Sequence, residues 1–458
     1  MKYYLFFFAI AIFNLNLNSQ ELQRRPNLGL SIKPLTEQIS KQLNYTGSAK
    51  AYVKRVIPGA SGENLKFLEN DILIEIGGVR VVKGFYNQVK SKYRAGDEIS
   101  AKVFRDGKVV ELKGVLTATP KETSEYADII YDSVDFEGKL RSILYLPKKR
   151  TNKNLPVIFY VQGFSCASME QVNQFNNSSV HQLINGFVQK GYAVYRVEKL
   201  GMGDSKNNLT CTEVDVNTEI NGFREALKRL KKTEHINNEE IYIWGHSLGA
   251  SHAPFIARDI GVKGIIGYGF VAKSWHDYLI DIITLQLPLL EDLTYGDVQG
   301  KMDDFRMPLH ELFYSDDALE DIISRYPKED MDFLFSVFSY DGKYLLGRSP
   351  VFLRSLNKLN LVKEFQDIKT PTLSLYGESD LAAIGGEMAV KTIADAINQV
   401  SPGNGYYKLI PLTNHHLSKV GSIEDNVKVL NEKKSWQNAK INFNKDIIEI
   451  THNWILSL

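Results

Sequence analysis

The sequence predicts an α/β protein: a doubly wound, mostly parallel sheet with a long helical insertion, preceded by a small β-rich domain. Three observations carry that prediction. From residue 129 onward, short apolar β-branched runs alternate with helically patterned segments, the signature of repeated strand–helix–strand units. One of those runs ends in Gly245-His246-Ser247-Leu248-Gly249, and a small-residue, helix-compatible segment follows it. Before residue 117 the chain is instead strand-rich and punctuated by glycine turns.

At 458 residues the chain exceeds what one hydrophobic core usually holds, so two or three domains are expected. Apolar residues at 43% and charged residues at 24% describe ordinary globular composition. With 55 basic against 54 acidic residues and no basic block, nothing favours a nucleic-acid partner. The N-terminus differs from the rest: Lys2 precedes an apolar run from Tyr3 to Phe13, then a polar stretch to Gln20. That run is shorter than the roughly 20 residues a membrane-spanning helix needs. It fits a signal peptide over residues 1–19 cleaved after Ser19, the alternative being a buried N-terminal strand. The expected mature protein is exported, periplasmic or extracellular, with no transmembrane segment and no cysteine near the cleavage point for lipid attachment. Export makes the only two cysteines, Cys166 and Cys211, candidates for a disulfide, with two free thiols as the alternative.

After a polar leader over 21–26 come Asn27-Leu28-Gly29-Leu30, a helical pattern over 35–43, and a strand-like run over 51–57. The turn Pro58-Gly-Ala-Ser-Gly62, an apolar stretch through Gly77-Gly78, and a helix around 85–93 follow, then two strands about the hairpin turn Arg105-Asp106-Gly107-Lys108. Such a domain leaves one sheet edge open to an extended peptide. The backbone N–H groups of Leu28, Gly29 and Leu30 are candidates to hold a terminal carboxylate, because Gly29 lets the chain curl around an anion. The Val-Ile-Pro-Gly-Ala-Ser run, Asn70-Asp71-Ile72 leading to Ile76-Gly-Gly-Val79, and the Arg-Asp-Gly-Lys hairpin stand in the order of a PDZ domain. Residues 27–117 resemble those of periplasmic serine proteases. The resemblance implies a peptide or protein C-terminus as partner, although Asn27-Leu28 departs from the pair many relatives carry. The alternative is a domain that only packs on its neighbour or joins a dimer.

Residues 118–122 read as a polar linker. Two strands about Glu137-Gly138 open the second domain, expected over 125–458. The run over 156–161 is continuously apolar, as buried central strands are. A helix over 180–190, a strand over 192–197, a helix over 220–230, the strand ending at Ser247 and a strand over 262–270 follow. Between about 274 and 361 the alternation stops, and leucine- and aromatic-rich helical stretches take its place (275–287, 309–314, 331–340). That is far longer than an ordinary connection and reads as a helical lid, the alternative being a purely structural insertion. Strands over 372–376 and 405–410 and a terminal helix over 443–458 complete the chain.

The chemistry-bearing residues lie where strands end. Glycines at 245 and 249 allow a turn too tight for a Cβ, which pushes the Ser247 hydroxyl out as a candidate nucleophile. A serine hydroxyl is barely ionised at neutral pH and needs a base. His415 and His416, in the loop after the last strand, both qualify, with His415 preferred for its distance from the strand end. The base needs a carboxylate to fix its tautomer. Asp380, in Gly377-Glu378-Ser379-Asp380, is the candidate, Glu378 is the weaker one, and a plain helix cap is the alternative role. A developing oxyanion needs two donors. The Leu248 N–H and the Phe164 N–H are expected, with the Ser165 N–H as runner-up to the latter.

In this order, Gln162-Gly163-Phe164, Gly201-Met-Gly-Asp-Ser205, Gly-His-Ser-Leu-Gly, Gly-Glu-Ser-Asp and Asn414-His-His resemble the α/β-hydrolase superfamily over residues 125–458. The resemblance implies a serine hydrolase of esterase or peptidase type that cleaves an ester, thioester or amide through an acyl-enzyme; no His/Cys/Asp spacing suggests a metal site, so no metal or cofactor is expected. A serine at the elbow argues against haloalkane dehalogenases and epoxide hydrolases, which carry an Asp nucleophile. Gln162 stands where many relatives have His. A Cys166–Cys211 bridge would anchor the oxyanion loop. Carboxylic ester hydrolysis is expected on a small acyl-ester substrate; a peptidase, or a non-catalytic peptide-binding protein on a hydrolase scaffold, are the rival readings.

Overall fold

Two separate sheets, of six and nine strands, organise the chain in the computed structural model. The structure describes residues 22–458 except 83, 152–153, 173–176 and 292. The signal peptide expected over residues 1–19 lies outside the described residues.

The N-terminal sheet is antiparallel and comprises β1 (Leu30–Pro34), β2 (Ala51–Val56), β3 (Ile72–Ile76), β4 (Val79–Arg80), β5 (Glu98–Arg105) and β6 (Lys108–Val115). Its order is β1-β2-β3-β5-β6, with β4 paired to β3, so β1 is an edge strand. At the β5–β6 hairpin Asp106 and Gly107 both take positive φ, 50° and 80°. That is the twist-matched two-residue turn that an Asp-Gly pair favours. Val53, Leu73, Ile76 and Val103 from the sheet close a small core with Phe85 and Val89 of the helix Phe85–Lys92.

The second sheet contains β7 (Ala127–Asp135), β8 (Gly138–Pro147), β9 (Leu155–Val161), β10 (Ala193–Val197), β11 (Lys206–Asn207), β12 (Ile236–His246), β13 (Gly264–Tyr268), β14 (Thr372–Gly377) and β15 (Gly405–Ile410). Its order is β11-β8-β10-β9-β12-β13-β14-β15, with β7 paired to β8. The pairs from β10 to β15 are parallel, and β8 meets β7, β10 and β11 antiparallel. Strand alternation divides the burial between two faces. Val157, Phe159, Ile241 and Ile243 enter one core with the helices Val216–Leu230 and Leu248–Ala257. Ile158, Tyr160, Tyr242 and Trp244 enter the other with the helices Ser179–Gln189 and Asp446–Leu456. The sheet is therefore covered on both sides, which is why its central strands read as continuous apolar runs. From β9 the chain moves outward to β10, and from β12 it moves the other way to β13. The crevice between the ends of β9 and β12 is thus the switch point, where doubly wound sheets place their ligands.

Among the described residues, seven α-helices and one π-helical segment, Ile282–Gln286, fill the connection between β13 and β14, the longest being Tyr295–Tyr314. The sequence pattern marks only the end of that helix, because Gly296, Gly300 and Pro308 and a run of polar residues mask its start. A Thr294 capping box with Asp297 starts it nonetheless. Tertiary burial of Val298, Met302, Phe305 and Leu309 outweighs the poor local propensity. The helices Ile423–Asn431 and Ser435–Ile441 are also absent from the sequence reading.

The polar leader and linker are not solvated connections. Arg24 is buried and pairs with Asp204 and, at 2.7 Å, with Glu170. Arg25 reaches the second Glu170 oxygen at 3.0 Å, and its N–H donates to Asp204 at 2.7 Å. Arg141 joins Asp204 from β8 at 3.2 Å. Glu122 of the linker is buried against Arg196 and Tyr145. Local composition predicts exposure for such residues; the partners that bury them lie up to 180 positions away.

Candidate active site

Ser247 occupies the turn between β12 and the helix Leu248–Ala257 with φ 56° and ψ −127°, a conformation L-residues rarely hold. Its N–H donates to the Tyr268 carbonyl at 2.7 Å, and its carbonyl accepts the Ala250 N–H at 2.9 Å. The two flanking glycines are steric necessities. A Cβ on Gly245 would lie 2.5 Å from the Ala250 backbone, and one on Gly249 would lie 2.2 Å from the Val161 carbonyl oxygen. As the first residue of its helix, Leu248 has an N–H without an intrahelical acceptor, at the positive end of the helix dipole.

The loops after β14 and β15 bring Asp380 to His415. The Asp380 carboxylate is fully buried; one oxygen accepts from His415 Nδ1 at 2.7 Å, and the other accepts the Ala383 N–H at 2.9 Å. Burial alone would disfavour the imidazolium, but the charge and hydrogen bond of Asp380 outweigh it, so the His415 pKa is raised. Both groups lie against the Gly269 backbone at the end of β13. Of the alternatives, His416 is exposed with no bond to Asp380, and Glu378 is exposed at the loop surface. The two loops are tied together by residues that sequence reasoning did not single out. Tyr268 donates to the Asn414 carbonyl at 2.6 Å, and Asn426 donates to the Ser379 carbonyl at 2.8 Å and accepts from Asn414 at 3.2 Å. His246 Nε2 lies 2.8 Å from the His415 carbonyl, completing the frame around His415.

The loop after β9 lies beside the serine: a Cβ on Gly163 would fall 3.0 Å from Ser247 Cβ and 3.4 Å from Ser247 Oγ. Cys166 and Cys211 form a disulfide that ties this loop to the segment between β11 and the helix Val216–Leu230. The Phe164 ring stacks on Trp275 of the helical insertion at 5.5 Å and meets Phe352 edge-on at 5.8 Å. Beneath the loop lies a buried charge cluster of Lys199, Glu219 and Arg348. Nothing local in the sequence marks it, because its members come from three separate segments.

In the N-terminal domain, Leu28 is buried and its carbonyl accepts the Gly62 N–H at 2.8 Å. Gly29 has φ +63°, and its carbonyl accepts the Ile57 N–H at 2.8 Å. Leu30 then begins the edge strand β1.

No protein-family model matches the chain. Esterase EstD of Thermotoga maritima is 26% identical over 266 residues, covering 55% of this chain and 61% of that protein. Together with the doubly wound sheet, this similarity supports an α/β-hydrolase. A probable periplasmic serine endoprotease DegP-like of Marinomonas sp. is 26% identical over 176 residues, covering 37% of this chain and 36% of its own length. The chain thus spans less than two thirds of either curated relative. Among solved structures, Est1E from Butyrivibrio proteoclasticus aligns at TM-score 0.38 and 15% identity over 66% of this chain and 96% of that one. No helix among the described residues is long and apolar enough to cross a membrane.

Proposed function

We propose that the protein is an exported serine hydrolase that cleaves a carboxylic ester through an acyl-enzyme. The observation that carries this reading is the Asp380–His415 pair, 2.7 Å apart with its carboxylate fully buried, in the loops of the sheet end that also presents the strained Ser247 turn. Asp380 occupies Nδ1 of His415, which leaves Nε2 as the basic nitrogen. In the proposed reaction Nε2 takes the Ser247 proton as Oγ attacks the substrate carbonyl carbon. The resulting oxyanion is held by the N–H groups of Leu248 and Phe164. Collapse of the intermediate breaks the bond to the leaving group, which takes the proton from His415. Water then attacks the acyl-enzyme, giving one proton to His415 and its hydroxyl to the acyl carbon, and Ser247 leaves with the proton returned.

An ester is favoured over an amide by the similarity to an esterase. Phe164 of the loop stacks on Trp275, which packs in turn on Tyr278, an aromatic surrounding that suits an apolar acyl or aryl group. The disulfide and the apolar N-terminal run support export. A second reading, a peptidase whose N-terminal PDZ-like domain captures a peptide C-terminus at Leu28-Gly29-Leu30, draws on the partial similarity to a DegP-like endoprotease. The test is labelling with a fluorophosphonate probe read by intact mass. One adduct on the wild type and none on Ser247→Ala is expected, followed by turnover of p-nitrophenyl esters faster than of peptide amides. No adduct on folded wild type would remove the proposal and favour a non-catalytic peptide-binding protein.

A further inference from the structure

The peptide unit joining Gly163 to Phe164 carries both a carbonyl and the proposed oxyanion donor. Every described peptide bond is trans, so the Gly163 carbonyl and the Phe164 N–H point in opposite directions from one rigid plane. Whatever holds the carbonyl therefore aims the N–H. Lys199 does so: its Nζ donates to the Gly163 carbonyl at 2.6 Å. The next peptide is held the same way, because Arg348 donates to the Phe164 carbonyl from Nε at 3.0 Å and Nη2 at 2.5 Å, which directs the Ser165 N–H.

Both cations are anchored from below. Lys199 is 3% exposed and lies 2.9 Å from one Glu219 oxygen; Arg348 is fully buried and lies 2.7 Å from the other. Arg348 also donates to the Cys211 carbonyl at 2.6 Å, beside the disulfide that ends the loop at Cys166. A structural ion cluster has no need to spend its donors on two consecutive carbonyls next to a nucleophile.

We propose that protonated Lys199, anchored by Glu219 and assisted by Arg348, is a positioning residue that aims and polarises the Phe164 N–H of the oxyanion hole. This rests on the serine-hydrolase reading and adds to it a pH dependence. The charged groups facing Lys199 are Glu219 on the helix Val216–Leu230, Arg348 at the end of the insertion, and His252 on the helix Leu248–Ala257. Burial pushes the Lys199 pKa down, Glu219 opposes it and Arg348 adds to it, bringing it to about 7. Above that pH the ammonium loses its charge and its grip on the carbonyl weakens. Activity should then fall as pH rises, while His415 sets the opposite limb.

The experiment compares wild type and Lys199→Met in the full mature chain, with fluorophosphonate labelling, kcat and KM on a p-nitrophenyl ester, and inhibition by an aryl trifluoromethyl ketone. Glu219 keeps Arg348 in the variant, so no buried carboxylate is orphaned. The expected fall in kcat is about 10- to 100-fold, short of the roughly 10²–10³ lost when an oxyanion donor is deleted. KM should stay within about threefold, since the lost interaction belongs to the transition state. Ketone affinity should fall in parallel with kcat, and the alkaline limb should disappear. Wild-type kcat and ketone affinity in a labelled Lys199→Met would overturn the inference alone. No labelling of wild type would remove the hydrolase reading itself. Should Lys199→Met fail to fold, Lys199→Leu is read in its place: parallel losses of kcat and ketone affinity support the inference, and wild-type values of both in a labelled variant overturn it.

Discussion

Replacing Asp380 by Asn tests the proposed catalytic assignment at its most constrained point. One carboxylate oxygen accepts the Ala383 N–H at 2.9 Å and the other accepts from His415 Nδ1 at 2.7 Å. An asparagine in that fully buried slot must turn its carbonyl oxygen toward the Ala383 N–H, so its NH₂ faces His415. Nδ1 then becomes an acceptor, and the ring proton moves to Nε2, the nitrogen that should receive the Ser247 proton. In the analogous substitution of a Ser-His-Asp protease, which the same tautomer argument explains, kcat falls about 10⁴-fold. A loss of about 10³–10⁴ is expected here, or roughly 4–5.5 kcal/mol of transition-state stabilisation. The variant also removes the charge that raises the His415 pKa against the effect of burial. Because the base works deprotonated, activity rises with pH through that pKa. The acid limb of kcat/KM should therefore move to lower pH in the variant. Initial rates on a p-nitrophenyl ester over pH 5 to 8, with thermal unfolding as a check on the fold, decide the matter. A kcat within tenfold of wild type and an unmoved acid limb would refute the assignment.

The remaining predictions concern the alternative base, the elbow and the disulfide. His416→Ala should leave kcat within about twofold, as exposed positions usually change free energies by no more than about 0.5 kcal/mol, whereas His415→Ala should abolish turnover and fluorophosphonate labelling. Gly249→Ala places a methyl 2.2 Å from the Val161 oxygen, where only backbone can yield, and should lower stability in urea by about 2–3 kcal/mol. Reducing or removing the Cys166–Cys211 bridge, which closes a loop of sequence separation 45, should cost about 4 kcal/mol in the chain-entropy model. It should also slow turnover by loosening the loop that carries Phe164; unchanged denaturation midpoints under reducing and oxidising conditions would contradict the stability part.

What the sequence determined by itself is local or periodic. The apolar run over 156–161 reads as a buried central strand because burial on both faces removes any polar alternation. The Asp106-Gly107 pair reads as a hairpin turn because few other residues tolerate two positive φ angles in succession. The position of Ser247 at a strand-to-helix turn is legible from Gly245 and Gly249 alone, since both are demanded by backbone contacts within a few residues of chain or with the neighbouring strand. Tertiary structure alone decided the rest. Only folding brings Asp380 Oδ2 to His415 rather than His416, because adjacent histidines leave the loop in different directions. The helix Tyr295–Tyr314 exists despite its glycines and proline because its apolar face is buried by other helices. The leader and linker charges around Arg24 and Glu122, and the Lys199–Glu219–Arg348 cluster, were invisible for the same physical reason. A buried charge is tolerable only when its partners surround it, and those partners come from segments that no local pattern connects.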